Sequence, residues 1–150
     1  MTDSNSPTAR FTDEERDAMK QRAAEMKAEA KRATQADKAA ADLQDVLDKI
    51  ASMAPADREI AERVHAIVTE NAPTLAPKLW YGSPAYALDG TVICFFQEST
   101  KFKVRYATLG FSDAAKLDDG NFWPSSYAVA KLTASDEKVL AELVKKAVEN

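Results

Sequence analysis

Few residues in this chain are equipped for covalent or metal chemistry. Cys94 is the single cysteine and His65 the single histidine, too few soft or imidazole ligands for a tetrahedral zinc site. Cys94 lies in the most apolar run, Val92–Phe96, where a thiolate is disfavoured, so its expected role is packing. Ser83 stands in Gly82-Ser83-Pro84, without the flanking glycines of a nucleophile elbow, and reads as a turn residue. There is no phosphate loop and no dinucleotide fingerprint. Two groups remain. Glu98, Asp113, Asp118 and Asp119 fall in segments expected to be loops; loops that follow strands can converge at one end of a sheet, and carboxylates are hard oxygen ligands for a metal ion. Trp80, Tyr81, Tyr86, Phe96, Phe111 and Trp123 cluster around turns and strand ends, with Lys101, Lys103 and Arg105 beside them. Trp and Tyr combine an apolar body with a polar handle, and the cations suit a carboxylate or phosphate. This second group suits either packing at the core edge or a small-molecule pocket near the Trp80–Tyr86 turn, with Trp80, Tyr86 and Trp123 as its wall.

The elements that must position these residues are readable from local rules. Asp89-Gly90 suits a two-residue type I′ turn, because both central residues of that turn need positive φ. It joins Ala85–Leu88 to Thr91–Gln97 as a β-hairpin. Val92–Phe96 is apolar on both alternating faces and reads as the central strand. Phe102–Thr108 alternates Phe102, Val104 and Tyr106 with Lys103 and Arg105, the pattern of a half-buried strand, and Tyr127–Lys131 reads as another. Upstream, Thr12 and Glu15 match a capping box that opens a long helical region. Leu43, Val46, Leu47 and Ile50 form its amphipathic face, and Pro55 opens a second helix carrying Ile60, Val64, Ile67 and Val68. Thr74–Leu79 reads as at most a short helical turn. Thr133 caps a last helix, with Asp136 at the capping-box position and Val139, Leu140, Leu143, Val144 and Ala147 as its stripe. The fold class is therefore α+β, an antiparallel sheet of four or five strands with helices packed on it.

The 150 residues carry a net charge of −4, with 45% hydrophobic and 29% charged residues. That suits one soluble globular domain and argues against nucleic acid as a partner for the molecule as a whole. No apolar run reaches the roughly 20 residues needed to span a bilayer. A polar N-terminus and a lone cysteine make the cytoplasm the expected compartment. The expected organisation is a disordered arm over 1–11, a helical extension over 12–38 and a single domain over 39–150. Met19, Ala23, Met26, Ala30 and Ala33 form a narrow stripe on the extension. With acidic residues at its start and basic ones towards its end, the stripe suggests a weak homodimer of antiparallel arms.

Trp80-Tyr81-Gly82-Ser83-Pro84-Ala85-Tyr86, Gly90, Phe95-Phe96, Lys101 and Trp123-Pro124 together resemble the YdhG-like family. This is a domain family of unknown function in which one member has been described as a frataxin-like intracellular iron chaperone. The resemblance covers about Leu43 to Val148. Ser83 stands where a methionine is common, and Phe102–Tyr106 replaces a His-Ile-Gly-Phe-Tyr type of segment. The resemblance implies helices packed on an antiparallel sheet and a non-enzymatic, iron-handling role, with iron as the metal for Glu98, Asp113, Asp118 and Asp119. The small-molecule pocket is the alternative.

Overall fold

The computed structural model describes residues 12–149; the arm expected over 1–11 lies outside them. The chain divides into two compact units, residues 1–38 and 39–150. In the first, helix α1 (Asp13–Ala51) begins where the sequence predicts. The Glu15 N–H donates to Thr12 Oγ1 at 3.1 Å, and the Thr12 hydroxyl donates to the Glu15 carboxylate at 3.2 Å. Every residue from Thr12 to Lys38 is exposed. Good helix formers and the acid-first charge order sustain this stretch without a buried face.

The second unit contains the end of α1, where Val46 and Ile50 are buried, followed by α2 (Pro55–Asn71) with Pro at its first position. A five-stranded antiparallel sheet follows: β1 (Ala76–Trp80), β2 (Ser83–Leu88), β3 (Thr91–Gln97), β4 (Ala107–Phe111) and β5 (Ser126–Val129). A single helical turn, α3 (Ser99–Phe102), interrupts it between β3 and β4, and α4 (Ala134–Ala147) closes the chain. Strand order in space is strand order in sequence, so β3 is central, as its doubly apolar run predicts. The Thr133 capping box forms as read, Asp136 N–H to Thr133 Oγ1 and Thr133 N–H to the Asp136 carboxylate.

Two elements differ from the sequence reading. Ala76–Trp80 is a strand rather than a helical turn, and Pro77 is tolerated there because β1 is an edge strand. Phe102–Thr108 is not a strand over most of its length. Asp57, from the first turn of α2, accepts hydrogen bonds from Ser99 N–H, Ser99 Oγ and Thr100 N–H at 3.1, 2.6 and 3.0 Å. Those bonds cap a helical turn, which Lys103 ends in the left-handed region at φ 55°. The ladder resumes only at Ala107, leaving Phe102 and Val104 exposed.

Alternation across the strands sorts the sheet into two faces. Tyr86, Cys94, Phe96, Leu109 and Phe111 share the face that joins Val64 and Val68 of α2 and Leu140 and Val144 of α4 in one buried core. Ala85, Phe95 and Gly110 occupy one row of the other face. Connections alternate between the sheet's ends. One end carries the Tyr81-Gly82 turn and the 98–106 connection; the opposite end carries Asp89-Gly90 and the 112–125 connection.

Candidate functional site

The candidate site grows from two tight turns that share a geometry and differ in sequence. Asp89-Gly90 has φ of 49° and 86°, and Tyr81-Gly82 has φ of 49° and 76°. Aspartate tolerates the first position, because its short polar side chain bonds locally; a bulky tyrosine does not. Tyr81 is moreover 85% exposed, so burial returns little of that conformational cost. A strained aromatic held out in solvent is the pattern of a residue kept for contact rather than for folding.

Trp80 supports it. Its ring meets Tyr81 edge-on and Phe95 in a tilted contact, both with centroids 4.9 Å apart. The far end of the Phe95 ring lies over Gly110, where a Cβ would fall 2.2 Å from it. The aromatic row is thus seated on a glycine that admits no side chain. Lys101 closes the group. Its Nζ donates to the Tyr81 carbonyl at 3.4 Å and sits where a Cβ on Gly82 would come within 2.8 Å.

The connection that carries Lys101, Lys103 and Arg105 is fastened by two buried carboxylates. Glu98 pairs with Lys49 of α1 at 2.6 Å, and Asp57 holds Ser99 and Thr100. Burial alone would raise the Asp57 pKa; the Ser99 and Thr100 hydrogen bonds outweigh it and hold the carboxyl below the ordinary aspartate range. Both acids are therefore occupied, while Lys101, Lys103 and Arg105 are exposed. The Arg105 guanidinium lies 5.1 Å from the Tyr106 ring centroid and Lys101 Nζ 5.4 Å from that of Phe102.

The structure brings together Trp80, Tyr81 and Lys101, with Lys103 and Arg105 on the same connection. It does not bring Tyr86 and Phe96 to them: both are 1% exposed and belong to the helix-covered face. The Tyr86 hydroxyl faces His65 Nδ1 at 2.9 Å. Burial pushes the Tyr86 phenol up and the His65 imidazole down, so this is a contact between neutral groups at neutral pH. Trp123 belongs to the 112–125 connection at the opposite end of the sheet, so the wall of Trp80, Tyr86 and Trp123 does not assemble. An apolar hollow of about 220 Å³ lies instead between β5 and α4, bordered by Tyr127, Val129, Leu132 and Leu143.

The four metal-candidate carboxylates are divided by the same topology. Asp113, Asp118 and Asp119 lie on the 112–125 connection, whereas Glu98 opens the 98–106 connection at the other end and is bound to Lys49. Among the described residues no three His, Cys, Asp or Glu side chains stand together to hold a metal ion. Cys94 is buried on the core face, and burial pushes its thiol up to about 12. Sequence reasoning missed Phe95, Gly110 and Asp57. The adjacent Phe95-Phe96 pair was a signal for the first, since one of any two consecutive strand residues must face away from the core.

No family model matches the chain, and neither a curated protein nor a solved structure matches it. No helix of the described residues is long and apolar enough to cross a membrane.

Proposed function

We propose that the protein is a non-enzymatic binding module for a planar, negatively charged ligand, taken at the sheet end formed by the Tyr81 turn and the 98–106 connection. The observation that supports this most is Tyr81 itself, exposed at positive φ beside a buttressed tryptophan and the Lys101 ammonium. In this reading the rings of Tyr81 and Trp80 offer a planar contact, and Lys101, with Lys103 or Arg105, receives the ligand's anionic group. Among the described residues the thiol lies in the core, the imidazole is bonded to the Tyr86 hydroxyl, and the nearby Glu98 and Asp57 carboxylates are engaged, which is why binding and not turnover is proposed. The iron-handling role implied by the YdhG-like resemblance would need ligands drawn from both ends of the sheet, so the geometry favours the pocket reading over it.

Adenosine monophosphate is a suitable probe, since it joins a planar base to a phosphate. In a Trp123→Phe variant the remaining emission reports Trp80. Saturable quenching by the nucleotide, weakened in Lys101→Gln, is the expected result. Unchanged emission, with no amide chemical-shift changes around Trp80–Lys101 across millimolar nucleotide, would remove the proposal.

A further inference from the structure

The stretch Lys101-Phe102-Lys103-Val104-Arg105-Tyr106 interleaves cations with rings. As a strand it would have buried one of those sets. Because Asp57 diverts it into a helical turn and a left-handed cap, both sets reach solvent: Phe102 is 42% exposed, and Lys101, Lys103 and Arg105 are exposed with it. Tyr81 stands beside them, tied to Lys101. Of the acids that fasten this end, Glu98 is paired with Lys49, and Asp57, still charged, is buried and turned onto the Ser99 and Thr100 donors rather than to solvent. The unengaged aspartates Asp113, Asp118 and Asp119, with Asp89, are placed on the turns and connection of the opposite end. A protein of net charge −4 thus presents a locally cationic, ring-bearing end.

We infer that this end binds single-stranded nucleic acid. The inference rests on the ligand-site reading above and extends it from one planar anion to a chain of them. Single strands are held by cations that track the phosphates and by aromatic side chains on which bases stack, and such stacking tolerates any base because every base has a π-face. Lys101, Lys103 and Arg105 take phosphates; Tyr81 and Phe102 take bases. A duplex is disfavoured here, since its bases are already stacked and α3, the helical turn that carries Lys101, is too short to lie along a major groove. An anionic membrane is the less fitting polyanion: Val104 is the one aliphatic residue within 101–106, and its neighbours on both sides are cations, so insertion would draw charge below the headgroups. Five residues, Lys101–Arg105, reach at most about 18 Å when extended, so the footprint is a few nucleotides.

The test is fluorescence anisotropy of a labelled twelve-base oligothymidylate titrated with the full chain at several salt concentrations. With all three cations on phosphates, log K should fall against log salt with a slope of about −2. The triple variant Lys101→Gln, Lys103→Asn, Arg105→Gln should lose at least about tenfold in affinity. Asparagine is chosen because it accepts the left-handed cap, and an unchanged urea midpoint would show the fold intact. Tyr81→Asn should weaken binding by between about fivefold and a hundredfold while leaving the salt slope unchanged. Adenosine monophosphate binding with no tighter binding of the oligonucleotide would overturn this inference and leave the ligand-site reading standing. Failure of both probes would overturn both. Binding to vesicles containing phosphatidylserine, with the oligonucleotide left unbound, would reassign the surface to membranes and overturn the inference.

Discussion

Asp57 is the point at which a change of one side chain tests how the candidate site is built. Replacing it with asparagine keeps the volume and removes the charge that Ser99 N–H, Ser99 Oγ and Thr100 N–H address. A hydrogen bond to a charged group contributes about 1.5–3 kcal/mol, and a lost helix cap costs about 0.5–2 kcal/mol. The three bonds fall on one carboxylate, two on Oδ1 and one on Oδ2, and asparagine retains one carbonyl oxygen, so they do not add. The expected loss is about 2–4 kcal/mol at neutral pH. With a urea dependence of about 2 kcal/mol per molar, the midpoint should drop by about 1–2 M, read from tryptophan emission. The pH dependence carries a sign. The folded-state pKa of Asp57 is depressed, so its stabilisation is present above the unfolded aspartate value and is lost as pH falls through the lower folded value. The gap between wild type and Asp57→Asn should therefore hold from neutral pH down to about 4 and close below it. A gap under about 0.5 kcal/mol at neutral pH, or one that widens in acid, would refute the account of Asp57 as the charged cap that sets the 98–106 connection.

Other expectations follow from the same geometry. Tyr81→Asn relieves a bulky residue at positive φ and should stabilise the fold by about 1 kcal/mol in urea unfolding even as ligand affinity drops. Gly110→Ala drives a methyl into the Phe95 ring; a loss of about 1–3 kcal/mol is expected, with a shifted Trp80 emission because Phe95 is its neighbour. Cys94 should stay unmodified by a thiol reagent at pH 8 in the native protein and react stoichiometrically in concentrated guanidinium, given its burial and raised pKa. Self-association through α1 should be weak: Met19 and Met26 are 54% and 55% exposed, and sedimentation at high micromolar concentration should show a dimer that Met19→Lys with Met26→Lys removes.

The sequence was legible where a local rule decides the outcome. Asp89-Gly90, Pro55 and the Thr133–Asp136 box each act within a few residues, and each forms as read. The apolar density of Val92–Phe96 announced the middle of the sheet, but not equal cover on both faces, since Val92 and Phe95 are only half-buried. Phe102–Tyr106 was misread because alternation is a local pattern, whereas its conformation is imposed by a carboxylate more than forty residues earlier. Asp57 gave no sign of that role, since an acid in the first turn of a helix is ordinarily a solvated complement to the dipole. At the candidate site, Tyr81, Trp80 and Lys101 are identifiable from the turn, whereas nothing local distinguishes Phe95, beside Trp80, from Phe96 in the core. Period-two alternation separates the two phenylalanines onto opposite faces without saying which face is covered.

The agreement between strand order and chain order bears on how the protein acquires its structure. Every strand pairs with its sequence neighbour, so no crossover has to be threaded, and each pairing closes a short loop. Two of those loops, Tyr81-Gly82 and Asp89-Gly90, are two-residue turns; the longest spans 112–125, and closure entropy grows only logarithmically with such lengths. Contacts of this kind keep contact order low for a β-containing protein. Hairpins form in about 1–10 μs, and Asp89-Gly90, whose residues suit their dihedrals, should close before its strained counterpart. β3 would then be the template on which β2 assembles before β1, so the tyrosine proposed to meet the ligand is set in place after the first hairpin.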